Sequence, residues 1–246
     1  HHMLWGASEE GRRKQPDVGN IVAEFSHILN SQLEDRASVL VTLGATRSGI
    51  DSVRWVQNTS SGKTGWLVSD YLYRMGHKVK VVHGETKFPP PPFLKDNIYL
   101  SDPEEMLESL LTIAKSQNAP DSWIHCAAVL DYVTTEVSNE KVKSGNDNWS
   151  INLVPSKKHI EELRNFCKGA TRIGFKLESN FDDAQLFASA SEMLYKYQLD
   201  GVVANHLESL KEITPRAFWV DKKGGVTPLL DNLALAMIIE NQIRRT

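Results

Sequence analysis

The sequence predicts an α/β protein, with a three-layer, Rossmann-like, mainly parallel sheet that carries helices on both faces. Short apolar runs alternate with stretches of helical spacing along most of the 246 residues. The runs that read as strands end in small or polar residues, as they do at the carboxyl edge of a parallel sheet. We therefore expect four polar loops, after Leu43, Ala128, Phe175 and Ala204, to converge on one edge of the sheet.

The composition argues against several classes of function. The 28 basic and 31 acidic residues give a net charge of −3, so there is no basic excess to favour nucleic acid as the main partner. No apolar run approaches the roughly 20 residues that span a bilayer. No secretory leader is recognisable, and Cys126 and Cys167 lack the spacing of a disulfide framework or a zinc site. We therefore expect a cytoplasmic protein without a membrane partner.

The domain organisation is predicted to be simple. Residues 1–16 are expected to combine a tag remnant, His1-His2-Met3, with a polar and partly disordered N-terminus. Residues 17–246 are expected to form a single α/β domain that opens with a helix. This helix either packs on the outside of the domain or binds a partner. Its apolar positions share one face and are Val18, Ile21, Val22, Phe25, Ile28 and Leu29.

The remaining elements follow from apolar runs, caps and turn residues. Strands are expected at residues 38–43, 78–83, 98–100, 122–128, 149–154, 171–175 and 201–205, and a hairpin at 217–226. Helices are expected from Ser61 to Gly76, from Ser101 to Gln117, from a Ser156 cap to Phe166, from Asp182 to Tyr197, and over 229–243. The proline run at 89–92 reads as a stiff loop within the domain, or as a polyproline ligand for another protein.

The 58–65 segment, Asn-Thr-Ser-Ser-Gly-Lys-Thr-Gly, is the clearest functional signal. Its hydroxyls and glycines precede a helix, and backbone N–H groups at a helix N-terminus bind anions such as phosphate. It is not a Walker A loop, because the first glycine of that motif would fall at Gln57. A capped helix without a ligand remains an open alternative.

Two further segments are candidates for the site. Ala127 and Ala128 lead into Asp131 after a predicted buried strand, which suits either a close-fitting ligand edge or a structural turn. His125, inside that strand, reads as a satisfied core histidine. The polar 134–149 loop carries Lys141, which either closes over a bound anion or is simply solvated.

Seven separated motifs share their order with a known family. They are Gly44-Ala45-Thr46, Asp51-Ser52-Val53-Arg54, the 58–65 segment, Ala127-Ala128-Val129-Leu130-Asp131-Tyr132, Glu140-Lys141-Val142-Lys143, Gly174-Phe175-Lys176-Leu177-Glu178 and Val203-Ala204-Asn205. Over about residues 38–240 the chain resembles phosphopantothenate–cysteine ligase, also called phosphopantothenoylcysteine synthetase. The flavin-binding decarboxylase domain of fused bacterial members is outside the resemblance, so a stand-alone ligase is expected.

The resemblance implies a two-step reaction in coenzyme A biosynthesis. CTP or ATP would activate the carboxylate of 4′-phosphopantothenate as an acyl-nucleotide and release pyrophosphate. The amine of L-cysteine would then displace the nucleoside monophosphate and form 4′-phosphopantothenoylcysteine. Because both substrates of the first step are polyanions, Mg²⁺ and lysines are expected to offset their repulsion. A homodimer is also implied, with the loop after Tyr132 shared across its interface.

The resemblance assigns roles to individual residues. Asn58 matches the asparagine that binds the acyl-nucleotide and serves the second step, and Lys141 matches the lysine of the activation step. Asp131 would contact the nucleotide, and Phe175 would lie beside its base. The remaining predicted binding residues are Gly44, Ser60, Ser61, Gly62, Gly65, Ala127, Ala128, Lys196 and Asn205.

Two departures leave alternatives open. Cytidine-using bacterial members carry two lysines four residues apart on one helix, and the matching positions here fall near Glu192 and Lys196. An Asn-Pro-Asp motif of those members is replaced by Ser156-Lys157-Lys158, whereas other motifs are closer to members that use ATP. The choice between CTP and ATP is therefore open. The alternative function is an inactive relative that only binds nucleotide or phosphopantothenate.

Overall fold

An eight-stranded sheet forms the centre of the computed structural model, which describes residues 8–9, 12–13, 15–145, 148–211 and 215–244. The strands in chain order are β1 (Ser8–Glu9), β2 (Arg12–Arg13), β3 (Ser38–Leu43), β4 (Arg47–Asp51), β5 (Arg54–Gln57), β6 (Lys78–His83), β7 (Asn97–Tyr99), β8 (Ser122–His125), β9 (Tyr132–Thr134), β10 (Leu153–Pro155), β11 (Thr171–Glu178), β12 (Gly201–His206), β13 (Ala217–Asp221) and β14 (Val226–Leu229). The α-helices are α1 (Val18–Asn30), α2 (Lys63–Arg74), α3 (Pro103–Ala114), α4 (His159–Glu162), α5 (Asp183–Tyr197) and α6 (Asn232–Ile243), and 3₁₀ turns lie at Leu163–Asn165 and Glu208–Lys211.

The strand order in the central sheet is β14-β13-β12-β11-β8-β3-β6-β7. The six strands from β12 to β7 pair in parallel, and only β13 and β14 pair antiparallel. Three short antiparallel pairs lie outside the sheet: β1 with β2, β4 with β5, and β9 with β10. The expected mainly parallel sheet is confirmed, and its carboxyl edge is where β3, β8, β11 and β12 end side by side.

Apolar cores cover both faces of the sheet, which confirms the three layers. Alternate residues of a strand point to opposite faces, so Val39 and Val41 pack with α2 and α6, whereas Leu40 packs with α3. Beside the α3 core, α5 packs its own apolar stripe on β12 and β13. Among the described helices, none is long and apolar enough to cross a membrane.

Several predicted boundaries are wrong for reasons that involve distant residues. The predicted 156–166 helix starts only at His159, because the Ser156 N–H donates to the Asp131 carbonyl at 2.8 Å and holds the chain extended. Strand β8 stops at His125 rather than at Ala128. The predicted 149–154 strand is reduced to β10, and α6 begins at Asn232 because residues 226–229 pair with β13.

The proline run and the first helix show how peripheral segments attach. The 89–92 run is a loop, and Phe93 directly after it is 7% exposed in the core, which favours the intradomain reading. Helix α1 begins after its Asp17 cap as expected, but it buries Ala23 and leaves much of its apolar stripe in solvent, with Val18 69% and Phe25 61% exposed. The predicted disorder of residues 4–16 falls largely outside the described residues.

Candidate active site

The 58–65 segment lies at the carboxyl edge of the sheet, where it leads from β5 into α2. Gly62 is the N-cap residue of α2 and has a φ of +73°, a backbone conformation that favours glycine. The hydroxyl oxygens of Ser60 and Ser61 lie 3.4 Å from the N–H groups of Gly62 and Lys63, at the long limit of a hydrogen bond. The N-terminus of α2 therefore keeps weakly engaged donors that an anion could take over.

A cavity of about 450 Å³, which we call the cradle cavity, opens beside this segment. The ends of β8, β11 and β12 form its other wall, so three of the four segments predicted to converge meet here, whereas the loop after Leu43 does not line this cavity. Its lining includes Asn58, Ser60, Ser61, Gly62, Gly65, Ala127, Ala128, Phe175, Asn205 and Arg216.

A second cavity of about 480 Å³, which we call the lysine cavity, lies beyond the same strand ends. Ala127, Ala128, Phe175 and Leu177 line both cavities and form a common wall. The charged residues of the lysine cavity are Asp131, Lys157, Lys158, Lys176, Glu192 and Lys196. Two anion-compatible compartments therefore meet at one apolar wall.

Asn58 ties the segment to the loop that follows β8. Its side-chain amide donates to the carbonyl oxygens of Ala128 at 3.1 Å and Val129 at 3.2 Å. Both amide hydrogens are therefore used within the protein, which leaves the amide oxygen, an acceptor, for a ligand. In this structure the Asn58 amide therefore has no spare hydrogen to donate to a ligand.

Asp131 lies at the mouth of the lysine cavity and pairs with Lys158 at 3.2 Å. This hydrogen bond raises the pKa of Lys158 above its ordinary value. Both side chains are more than half exposed, so the pair is solvated and contributes little to stability. The pair can open to let Asp131 or Lys158 contact a ligand.

Two of the glycines predicted to bind the ligand, Gly44 and Gly65, are required by packing. A Cβ on Gly65 would lie 2.3 Å from the Leu43 Cβ, so α2 can approach β3 only because this position has no side chain. A Cβ on Gly44 would lie 2.7 Å from the Glu85 carbonyl oxygen. Gly44 is buried and lines neither cavity, so the structure does not bring it into the cradle.

Lys141 is exposed and lines neither cavity. Its loop is held at the next residue, because the carboxylate of Asp51 accepts from the Val142 N–H at 3.1 Å. Arg54 pairs with the same carboxylate at 2.7 Å, and its guanidinium lies 3.4 Å from the Val142 carbonyl oxygen. The structure therefore does not bring Lys141 together with Asn58.

Buried titratable groups near the cavities are held in their neutral forms. Burial lowers the pKa of His125 to about 3 and that of His159 to about 4, so both rings are neutral at neutral pH. The His125 Nε2 atom is buried and has no hydrogen-bond partner among the described residues, so the prediction of a satisfied core histidine is wrong for this atom. Burial raises the pKa of Cys126 to about 12, so its thiol is not a nucleophile at neutral pH.

Sequence reasoning missed Arg216, which lines the cradle cavity directly before β13. It belongs to none of the motifs, and 150 residues of chain, 66–215, lie between it and the end of the 58–65 segment. A lone arginine next to a strand carries no sequence signal of a site. Only the antiparallel addition of β13 to β12 brings this residue to the carboxyl edge of the sheet.

The fold and the site define a Rossmann-like α/β protein with a helix N-terminus that opens into a cavity at the carboxyl edge of its sheet. A protein-family model described as "DNA/pantothenate metabolism flavoprotein C-terminal domain" matches residues 34–245. The chain belongs to this family, which confirms the expectation from the ordered motifs.

Individual relatives agree with this assignment. The "Coenzyme A biosynthesis bifunctional protein CoaBC" of Methanocaldococcus jannaschii is 34% identical over 200 residues, which are 81% of this chain and 48% of the relative. The protein of the same name from Thermococcus kodakarensis is 31% identical over 201 residues, 82% of this chain and 49% of the relative. The chain thus spans about half the length of the curated relatives it matches. A crystal structure of the C-terminal domain of a CoaBC protein superposes with a TM-score of 0.68 at 27% identity, covering 87% of this chain and 96% of that one.

Proposed function

We propose that this protein is a phosphopantothenate–cysteine ligase of coenzyme A biosynthesis, formed by a single α/β domain over residues 17–246 and acting in the cytoplasm. One observation carries the proposal: Asn58, Ala127, Ala128, Phe175 and Asn205 come from four distant segments and line one cavity at the carboxyl edge of the sheet. The sequence predicts these residues to be members of one site. The name shared by the relatives, which refers to coenzyme A biosynthesis, supports the same assignment.

The reaction we propose has two steps. The carboxylate of 4′-phosphopantothenate attacks the α-phosphorus of CTP or ATP and releases pyrophosphate, which turns a poor electrophile into an acyl-nucleotide. The amine of L-cysteine then attacks the acyl carbon, the nucleoside monophosphate departs, and a proton leaves the nitrogen. The common wall of the two cavities is where these groups would meet, since the wall is lined by small or apolar side chains that admit close approach.

Within this scheme the residues act by binding and orientation. The amide hydrogens of Asn58 are already used within the protein, so its amide oxygen is the group left for a ligand. This oxygen can accept a hydrogen bond from the attacking amine. Lys157, Lys158 and Lys196 supply positive charge for phosphates in the lysine cavity. We assign Lys141 to the activation step from the resemblance, and this role requires its loop to approach the cavities from its present place.

Mg²⁺ is proposed to arrive with the nucleotide. Among the described residues, no group of three or more histidines, cysteines or carboxylates is placed to hold a metal ion. Asp131 and Glu192 are the carboxylates that line the lysine cavity. A donor set of this kind fits Mg²⁺ bound largely by phosphate oxygens and water, the usual arrangement for nucleotide-dependent enzymes.

A homodimer is proposed on the basis of exposed apolar side chains on the strands outside the sheet. In the β4–β5 hairpin, Val53 is 47% and Trp55 49% exposed, and in β9 and β10 Tyr132 and Leu153 are 55% and 44% exposed. Exposed apolar side chains that lie close together commonly mark an interface. Sedimentation equilibrium of the wild-type chain and of Trp55→Glu tests the proposal, because a wild-type monomer would contradict it.

The deciding experiment for the ligase is pyrophosphate release with 4′-phosphopantothenate and Mg²⁺, with and without L-cysteine, offering CTP and ATP separately. We expect release with one nucleotide and 4′-phosphopantothenoylcysteine only when cysteine is present. Binding of nucleotide or phosphopantothenate without pyrophosphate release from either nucleotide would instead favour the inactive relative. That alternative is supported by the position of Lys141 outside both cavities and by Glu192 in the lysine cavity.

A further inference from the structure

The guanidinium of Arg216 is built into the wall of the cradle cavity by neutral partners. Its Nη2 donates to the Thr64 hydroxyl oxygen at 3.0 Å, and its Nε donates to the Asn232 side-chain oxygen at 3.1 Å. The Nη1 atom is shielded from solvent and has no hydrogen-bond partner among the described residues. The backbone N–H of Arg216 donates to the Leu229 carbonyl at 2.8 Å, which fixes the residue against β14.

The charge of this guanidinium is not balanced within the described part of the chain, where no carboxylate pairs with it. Arg36 provides a contrast, since it is also largely buried but pairs with Asp35 at 2.9 Å and Glu240 at 3.0 Å. Burial lowers the pKa of Arg216, but an arginine remains protonated in proteins. A buried charge without a counterion costs free energy, so its surroundings favour the arrival of an anion.

Thr64 connects this charge to the cavity. Because its hydroxyl oxygen accepts the hydrogen bond from Arg216, its own proton is free to be donated to a ligand. Thr64 also lies in the first turn of α2, beside Ser60, Ser61 and Gly62, and lines the same cavity. A group bound at the N-terminus of α2 would therefore meet a hydroxyl donor that is polarised from behind by a full positive charge.

We propose that Arg216 is a positioning residue that orients Thr64 and supplies the positive charge with which the cradle cavity holds a phosphate group. Which compound carries that phosphate rests on the proposed ligase function, where the sources are the nucleotide and 4′-phosphopantothenate. The inference that an anionic phosphate binds here does not depend on catalysis, because it follows from the charge and the donors of the cavity alone.

Isothermal titration calorimetry on the full chain tests the proposal with inorganic pyrophosphate, CTP, ATP and 4′-phosphopantothenate as separate probes. Arg216→Met keeps much of the side-chain volume but removes the charge. We expect it to weaken binding of at least one of these probes about 10- to 100-fold, the effect of losing a charged hydrogen bond. Pantothenate without its phosphate serves as the matched ligand control, and its binding should not change.

The probes distinguish the two sources of phosphate. A loss confined to pyrophosphate and the nucleotides assigns the cavity to the nucleotide phosphates, whereas a loss confined to 4′-phosphopantothenate assigns it to that phosphate. We expect the wild-type affinity for the affected probe to fall more steeply with salt concentration than that of Arg216→Met. Wild-type affinity of a folded Arg216→Met for all four probes would overturn the proposal.

Two milder variants keep the test decisive if Arg216→Met does not fold. Arg216→Lys retains a charge but not the planar fork, and Thr64→Val retains the guanidinium but not the hydroxyl that it orients. Each variant should weaken binding of the affected probe about three- to tenfold. The unfolding midpoint of each variant is measured as well, to show that it is folded. Unchanged affinity in both variants would overturn the proposal. If pyrophosphate release is absent from the wild type but these affinity losses are present, the ligase function fails and the role of Arg216 stands.

Discussion

The substitution Asn58→Asp separates the role of Asn58 in the fold from its role toward the ligand. The Asn58 amide donates to the Ala128 and Val129 carbonyls at 3.1 and 3.2 Å. A carboxylate cannot donate, so both bonds are lost, at about 1 kcal/mol each. The carboxylate oxygen that replaces the amide nitrogen would then face the two carbonyl oxygens, and their repulsion adds about 1 kcal/mol or more to the loss of stability. We expect the free energy of unfolding to fall by about 2–4 kcal/mol in total.

The two halves of the reaction provide the functional assay. Pyrophosphate release should remain partly intact in Asn58→Asp, while formation of the cysteine product stops, because an anion at this position repels the acyl-nucleotide and leaves the attacking amine badly placed. Urea unfolding measured without ligand and with saturating nucleotide and 4′-phosphopantothenate separates the loss of stability from the loss of activity. Equal loss of both half-reactions would show that Asn58 does not serve the second step in particular.

Thr46→Val is the matched control for Asn58→Asp, because it shows what happens when only the loop after β8 is disturbed. The Thr46 hydroxyl accepts from the Leu130 N–H at 2.9 Å, so its removal disturbs the same loop without touching Asn58. If Thr46→Val reproduces the selective loss of the cysteine product, the effect of Asn58→Asp is transmitted through the loop and our reasoning about its amide oxygen is refuted.

Three further predictions address other parts of the molecule. Lys141→Gln should slow pyrophosphate release about tenfold or more, because a positive charge for the activation step is lost. The unfolding midpoint should not shift, because the side chain is exposed. An unchanged rate of pyrophosphate release would show that Lys141 does not act in the activation step. Glu240→Gln should lower the free energy of unfolding by about 2–3 kcal/mol in urea, because it breaks the buried 3.0 Å pair with Arg36, and a loss below about 0.5 kcal/mol would contradict this. His125 has a folded pKa of about 3, so only the unfolded state takes up its proton as pH falls below about 6.5. This residue should therefore contribute a stability loss of about 2 kcal/mol between pH 7 and pH 5, which His125→Phe should abolish, and equal losses in the two proteins would refute the assignment.

The sequence predicted the parts of the fold that depend on local patterns. Residues 38–43 and 78–83 are confirmed as β3 and β6 to the residue, because buried parallel strands read as continuous apolar runs. Helix α5 begins at its predicted acidic cap, where Asp182 and Gln185 form a capping box. In each case the residues that specify the element lie within it or next to it in sequence.

The parts that the sequence did not predict depend on contacts between distant segments. Ser156 is a good cap residue by type, but its backbone is bonded to Asp131, so the helix starts later. The β4–β5 hairpin lies outside the sheet, and its strands of five and four residues are too short for a periodicity to mark them. The role of Arg216 depends on the pairing of β13 with β12, which a reading of motifs along the chain does not address.

For the candidate site, the sequence identified most of the residues that the structure brings together. The cradle cavity collects Asn58, Ser60, Ser61, Phe175 and Asn205 as expected. Gly44 is set apart, because its φ of +78° and its close approach to Glu85 serve the turn after β3. A sequence motif does not distinguish a glycine needed for backbone geometry from one needed for a ligand, so this difference appears only in three dimensions.

The wall shared by the two cavities has a consequence for how two negatively charged molecules can react with each other. Phosphate groups held in separate compartments stay apart, and Coulomb repulsion falls as the distance between charges grows. Only the reacting groups, a carboxylate and an α-phosphate in the proposed first step, would need to approach each other across the Ala127–Phe175 boundary. A ligand could therefore be held by a remote phosphate group on one side of the sheet edge and react at a wall that is lined by uncharged side chains. The small side chains at residues 127 and 128 would then determine how closely the reacting atoms approach.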